Sequence, residues 1–406
     1  MTLRHLSLEQ INETHLRGLI AGRASESREV DYKRHSYGSA DKDHGEYLAD
    51  VSSFANTIGG DIIIGMTEKA GAPHELSPIT IDVDAEILRL EQLARAGLQP
   101  RISGLAIQAI PIEAGGAVLI IRIPRSYNPP HRVVRNGAGQ QRFWARSSAG
   151  KYEPNVDELR SLFSQAPQIA DKMRDFRADR CAKIVAGDTP VPLDDAHVLV
   201  LHLVPFSAFD TRLSLPLDPS ERLQDRFSPI RTSYTQDYRI NVDGLLTLTN
   251  VKENTRQRRA YVQVYHNGIV ESVASSISPP SRDSGQSLRL TMMWTEAAIV
   301  QHSHKYLRGL LAIGCVPPFA LLVSLLGVKD ARYSFMMGNG VFEDEAGVLD
   351  RDQFHFSEVI LNSVPAGVYD YAKLVRPLLD QIANAAGRAK TPSFDDTGAF
   401  RLSVDR

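Results

Sequence analysis

The sequence predicts an α+β protein of two domains. Residues 20–165 alternate strand-like and helix-like patterns with short connections between them. A charged, helix-prone stretch at 167–190 separates that region from the rest. The chain has 406 residues, 43% hydrophobic and 23% charged, which is long enough for two or three domains and ordinary for a globular protein. The expected organisation is a first domain at 1–166, a helical linker at 167–190, an accessory α+β domain at 191–388 and a polar tail at 389–406 without fixed structure.

The elements follow in order. Leu6, Ile11, Leu16 and Leu19 recur at roughly helical spacing within residues 5–21. Residues 28–34 alternate, with Val30 and Tyr32 on one side and Glu29, Asp31 and Lys33 on the other, as in a half-buried strand. In HGEYLADVSSFANTIGG (44–60), Tyr47, Leu48, Val51, Phe54 and Ala55 form one helical stripe, with Glu46 and Asp50 off it. Asn56 and the pair Gly59–Gly60 supply the stop, because glycine takes the left-handed conformation without a Cβ penalty. DIIIG (61–65) is a continuous apolar run that suits a strand covered on both faces.

Residues 84–96 predict a second amphipathic helix. Strands at 105–112 and 117–123 flank a tight AGG turn. A proline-rich loop, RSYNPPHRVVRNG, leads to a strand at 141–146 and a helix over 155–163 that presents Leu159, Leu162 and Phe163. Beyond 191 the pattern predicts strands at 197–204, 245–250 and 260–266, a hairpin at HNG, and helices at 294–314 and 367–387. The most apolar stretch, Leu310 to Val328, is interrupted by Pro317 and Pro318, so it reads as buried core and no membrane span is expected.

Composition narrows the function classes. Cys181 and Cys315 are the only cysteines, which excludes a disulfide framework or a cysteine-based zinc site and favours a reducing, cytoplasmic compartment. The opening MTLRHLSLEQ lacks the apolar core of a secretory signal. There is no GxxxxGK[ST] phosphate loop. His302 and His304 are two apart on a predicted helix and point in different directions, so they do not pair on a metal. Net charge is −2, yet local fields can differ. Between Arg122 and Lys151 stand Arg125, Arg132, Arg135, Arg142 and Arg146 with no acid among them, and Tyr127, Phe143 and Trp144 are interleaved. That combination suits a nucleic-acid backbone with stacked bases. On a strand, Arg142, Trp144 and Arg146 would share an exposed face and Phe143 would be buried.

The segment ESREVDYKR (26–34) carries the candidate chemistry. Metal-assisted phosphodiester cleavage uses hard oxygen ligands converging on Mg²⁺ or Mn²⁺, with a lysine nearby to offset developing charge. Asp31 and Lys33, two apart on a strand, face the same way. Glu68, at the mouth of the neighbouring strand, is a further acid within reach. Glu26 lies five residues before Asp31, so in a regular strand it would face away, whereas Glu29 has the matching parity. Either acid completes the set by this argument. An acid–x–Lys pair is also a common solvated strand face.

ESREVDYKR, then FANTIGGDIIIGMTE, then RFWARSSAGKYEPNVDEL resembles, in order and spacing, the Schlafen-type AlbA domain over about residues 20–165. The resemblance implies a metal-dependent endoribonuclease that cuts structured RNA such as transfer RNA, an activity that would fit a role in antiphage defence. DNA is the other polymer it would accommodate. The resemblance places the three metal-binding carboxylates on Glu26, Asp31 and Glu68 and the assisting lysine on Lys33. It therefore favours Glu26 over Glu29 and implies a bend before the strand. Asp31 stands where the family usually has Glu, and Glu68 where it usually has Asp. The family pairs two such lobes around a groove, which implies a homodimer for a chain with one. Two further readings are a non-catalytic DNA- or RNA-binding regulator and a nucleotide-binding signalling module.

Overall fold

The computed structural model describes residues 3, 6, 8–134, 141–209, 215, 217–218, 222–230, 237–253, 255–275, 289–334, 347–395 and 397–401. Arg135 lies outside them. The chain divides into two compact units, Met1–Ile169 and Ala170–Arg406.

In the first unit, α1 (Glu13–Ala21) starts at Asn12, whose side chain accepts from the His15 amide. Strand β1 (Val30–Lys33) runs to α2 (Asp41–Ala55) and back to β2 (Gly60–Ile64), parallel to β1. A hairpin, β3 (Met66–Lys69) and β4 (Ala72–Leu76), follows, then α3 (Val83–Gly97) and the short β5 (Leu98–Gln99). Strands β6 (Ala106–Pro111) and β7 (Ala117–Ile123) complete a four-stranded sheet of order β1-β2-β7-β6. The short β8 (Arg132–Val133) pairs with β5, and β9 (Ala145–Ser147) forms a hairpin with β10 (Gly150–Tyr152).

Strand alternation splits the apolar side chains between two cores. Ile62, Ile64, Leu119 and Ile121 meet Tyr47, Val51 and Phe54 of α2 and Leu90 of α3. Val30, Tyr32, Ile63, Val118 and Ile120 meet Leu16 and Leu19 of α1. The predicted half-buried strand is therefore covered on both faces, and Asp31 is 5% exposed. The glycine pair has a steric reason. Gly59 adopts φ +74°, and a Cβ on Gly60 would stand 2.4 Å from the Phe54 ring. The backbone of β2 can thus pass directly against the helix that precedes it.

Helix α4 (Val156–Val185) is longer than the predicted 155–163 and runs through most of the expected linker; the boundary between units falls within it. The second unit is built on an eight-stranded antiparallel sheet. Its strands are β11 (Val198–Pro205), β12 (Asp237–Asn241), β13 (Gly244–Leu248), β14 (Ala260–Tyr265), β15 (Val270–Ser275) and three more given below, and the short helix α5 (Leu223–Arg226) precedes β12. Strand β16 (Arg289–Thr291) leads into α6 (Met292–Ala312), followed by β17 (Phe319–Leu326) and β18 (Arg332–Ser334). Then come β19 (Gly347–Val348), β20 (Gln353–His355), β21 (Val359–Leu361) and α7 (Val368–Ala385). Strands β17, β20 and β21 complete the large sheet, while β16, β18 and β19 form a small one. Tyr306 and Leu310 of α6 and Tyr371 and Leu379 of α7 bury one sheet face. Cys181 and Ile184 of α4 join the core on the other. On that side Glu271 takes two hydrogen bonds from Arg180, at 2.8 and 2.9 Å, and one from the Tyr261 hydroxyl at 2.9 Å. Burial alone would raise the Glu271 carboxyl, but Arg180 and His202 hold it at about 2. The apolar stretch expected to be core forms the end of α6 and buried β17, and no helix among the described residues is long and apolar enough to cross a membrane.

The segment read as a polar tail is instead tied to α7. The Thr391 amide donates to Asp380 at 2.9 Å, and Asn384 Nδ2 donates to the carbonyls of Arg388 and Ala389 at 2.6 and 3.1 Å. Residues 402–406 lie outside the described chain.

Candidate functional site

The site is the edge of the four-stranded sheet where β1 passes under α2. Asp31 and Lys33 both point to the α2 side, as the alternation predicts. Lys33 Nζ lies 3.4 Å from Asp31 Oδ1 and 3.6 Å from Asp50 Oδ2. Burial works against the Lys33 charge, but Asp50 and Asp31 outweigh it and its pKa rises.

Asp50 is the residue that sequence reasoning set aside. It is 1% exposed. Lys151 Nζ is 2.8 Å from its Oδ1, and the Tyr37 hydroxyl donates to Oδ2 at 2.9 Å. Its spacing held the signal: Asp50 is three residues after Tyr47 and four before Phe54, inside the buried stripe.

Arg146 is the second cation on Asp31. Its Nη2 is 3.1 Å from Asp31 Oδ2, and its guanidinium lies over the Phe54 ring at 4.3 Å. The Arg146 amide donates to Thr57 Oγ1 at 3.0 Å. One residue earlier, Asn56 accepts from the His131 amide at 2.7 Å and donates to the carbonyls of His131 and Trp144 at 3.1 and 2.8 Å. The Asn-Thr pair that ends α2 therefore holds both the proline-rich loop and the approach to β9 in place.

The bend expected before β1 is present. The Ser27 amide donates to the Val30 carbonyl at 3.1 Å, and the Glu29 amide to Ser27 Oγ at 3.1 Å. The chain folds back so that Glu26 Oε1 accepts from the Tyr32 amide at 3.0 Å. Glu26, rather than Glu29, thus joins Asp31. Burial raises the Glu26 carboxyl to about 7, the Tyr32 amide opposes the rise, and the Asp31 and Glu68 carboxylates add to it. Glu68 is exposed on the β3–β4 hairpin and accepts from the Gly71 amide at 2.7 Å. Gly71 in turn accepts from the Glu26 amide at 2.6 Å, so one turn ties the two acids together.

The fit to a divalent cation is incomplete. Asp31 and Glu68 both push the Glu26 carboxyl up, as neighbouring carboxylates do. Asp31, however, already faces Arg146 and Lys33. Among the described residues no group of three or more His, Cys, Asp or Glu side chains is arranged to hold a metal ion.

The acid-free basic span is not a bare positive stripe, because several of its members meet acids from elsewhere in the fold. Arg122 pairs with Asp61 at 2.8 Å and donates to the Leu3 carbonyl at 3.0 Å, anchoring the N-terminal segment. Arg142 pairs with Glu153, Arg146 with Asp31 and Lys151 with Asp50. The predicted face of Arg142, Trp144 and Arg146 is not formed, because β9 begins only at Ala145. Arg146 is buried, Trp144 packs against the α2 core, and Phe143 is half-buried with its ring edge-on to Phe163 at 5.7 Å. Arg142 remains exposed, and Arg125 (over the Tyr127 ring at 5.8 Å) and Arg132 are half-buried.

Sheet, hairpin arm and acidic corner belong to one α+β domain. Residues 26–155 match the family described as Schlafen, AlbA_2. Two solved structures are similar to part of this chain, each at 17% identity. One is the DIP2311 protein from Corynebacterium diphtheriae, with 38% of this chain and 29% of that one covered and a TM-score of 0.25. The other is the N-terminal domain of an ATP-dependent DNA helicase RecG-related protein from Nitrosomonas europaea, with 36% of this chain and 95% of that one covered and a TM-score of 0.26. The chain thus spans less than a third of the DIP2311 protein. No curated protein matches.

Proposed function

We propose that the first unit acts on nucleic acid and cleaves RNA, structured RNA such as transfer RNA above all, at the corner where Glu26, Asp31 and Glu68 meet. One observation carries this reading: Glu26 is folded back onto β1 beside two other acids, with its carboxyl at about 7. A carboxyl in that range exchanges a proton with a ribose hydroxyl or a water near neutral pH, where general acid–base catalysis is most effective. Lys33 beside Asp31 offers positive charge for a phosphoryl oxygen. Arg125, Arg132 and Arg142 hold the phosphate backbone, and a nucleic-acid strand readily displaces the exposed Arg142–Glu153 pair, since such surface pairs contribute little. The family match supports nucleic acid as the partner. Mg²⁺ or Mn²⁺ dependence and a second copy of the chain that completes the groove belong to the same proposal.

The test incubates the protein with transfer RNA, single-stranded RNA and duplex DNA in Mg²⁺, Mn²⁺ or EDTA, beside Glu26→Gln and Asp31→Asn proteins shown to be folded. RNA cutting that both variants lose is the expected result, and the EDTA arm decides the metal requirement.

The engagement of Asp31 by Arg146 and Lys33 favours a second reading, a non-catalytic nucleic-acid-binding regulator in which these charges hold the fold. It predicts no cutting by any of the proteins and binding that weakens with salt.

A further inference from the structure

The second unit contains a basic cleft that the nuclease reading does not use. Residues 388–395 and 397–401, with Arg376 of α7, wall a cleft of about 760 Å³. Its charged lining is Arg376, Arg388, Lys390, Arg401 and one acid, Asp395. Asp395 is already engaged: it accepts from Thr397 Oγ1 at 2.6 Å and from the amides of Thr397 and Ala399 at 2.9 Å each. Arg376 also has Asp380 Oδ2 at 3.9 Å, so among the described residues four cations face two acids and positive charge stays in excess. The walls are fixed as well. The Arg401 amide donates to the Ser393 carbonyl at 2.7 Å, and α7 ties the start of the loop through Asp380 and Asn384. The Arg376 guanidinium stands 4.7 Å over the Phe394 ring, which is edge-on to Phe400 at 5.2 Å. An aromatic platform of this kind sets the plane of the guanidinium before any ligand arrives.

We propose that this cleft binds a small phosphorylated ligand of nucleotide size. Guanidinium and ammonium groups crowded in a concave wall match phosphate oxygens in charge and in donor geometry. The volume lies within the roughly 300–1,000 Å³ of small-molecule sites, whereas a surface that tracks a polymer backbone extends as a groove. The proposal is independent of RNA cleavage by the first unit.

The test is calorimetric titration of the full chain with ATP, GTP, AMP and inorganic pyrophosphate, and separately with a short RNA, beside a Lys390→Glu/Arg401→Glu protein. Both residues are exposed, so the fold should survive, and thermal melting verifies it. Saturable 1:1 binding of a nucleotide or pyrophosphate, weakened at least about tenfold in the variant, is expected, because each lost charge-assisted contact is worth that much or more. No saturable binding of the small anions overturns the proposal, as does binding that the variant leaves unchanged. Variant-sensitive binding of RNA alone overturns it in favour of a nucleic-acid surface. An Arg376→Gln protein, which keeps the loop charges, should also weaken the small anion. RNA cutting is not the readout, so a failure here says nothing about Glu26.

Discussion

Arg146 and Asp31 form a buried ion pair, 3.1 Å apart with each side chain no more than 7% exposed, that joins the first strand of the domain to its last hairpin. A pair so placed is costly to break, because Asp31 keeps only the more distant Lys33, at 3.4 Å, and gains no water in place of the guanidinium. Arg146→Met should destabilise the protein by about 3–5 kcal/mol. Arg146→Lys, which keeps the charge but loses the guanidinium plane over Phe54, should cost less. Urea unfolding of the three proteins measures both, and a Met variant within 1 kcal/mol of the parent, on the order of an exposed pair, would remove this pair from the account of the fold.

Glu26 should make stability depend on pH. Its folded carboxyl sits at about 7, above the ordinary 4.5, so the folded state holds the proton more tightly than the unfolded chain. The stabilisation is complete below 4.5 and is lost as pH rises through about 7. Glu26→Gln removes the titrating group. The variant should therefore gain on the parent between pH 5 and pH 8 in urea midpoint, and a difference that stays constant with pH would contradict the assignment.

Asn56→Ala should loosen two loops at once. It deprives the buried His131 amide and the Trp144 carbonyl of their partner. One such loss costs about 1–3 kcal/mol. Hydrogen exchange should show faster opening at His131 and across 144–147, with the β1–β2 amides unchanged. Uniform acceleration across the sheet would indicate a global effect instead.

Glu296 offers a parallel test in the second unit. It is fully buried in α6, its Oε2 accepts from Thr391, and burial raises its carboxyl to about 7. The sign is the same: stability is present below 4.5 and is lost as pH rises through about 7. Glu296→Gln should flatten that decline in chemical denaturation, and an unchanged slope would mean that the carboxyl titrates normally.

The sequence was most legible where periodicity and sterics act locally. The stripe from Tyr47 to Ala55, the run DIIIG and the glycine pair were readable because each follows from spacing or from the space available to a Cβ. The parity argument placed Asp31 and Lys33 on one face, and the bend that brings in Glu26 could be anticipated only through the family resemblance. Asp50 was misjudged because a charge at a core spacing looks like an interruption until its partners Lys33, Lys151 and Tyr37 are known. The arginines from 122 to 146 looked like one surface because their acids, Asp61, Asp31 and Glu153, lie outside that span. Linear charge density does not reveal cross-fold pairing. Trp144 went wrong for a related reason: strand alternation was extended through residues that precede the strand.

The buried cations on Asp31 and Asp50 also bear on synthesis. As the chain emerges from the ribosome, β1 and α2 are complete long before Arg146 and Lys151 have been added. A nascent chain ending at Ile123 would already possess all four strands of the sheet, yet Lys33 alone would face two carboxylates waiting to be dehydrated. The β9–β10 hairpin therefore brings, after the sheet is complete, the further cations for these two buried carboxylates. A fragment of this unit that stops short of Lys151 should accordingly be less stable than one that reaches it, because Asp50 then lacks its second ammonium group.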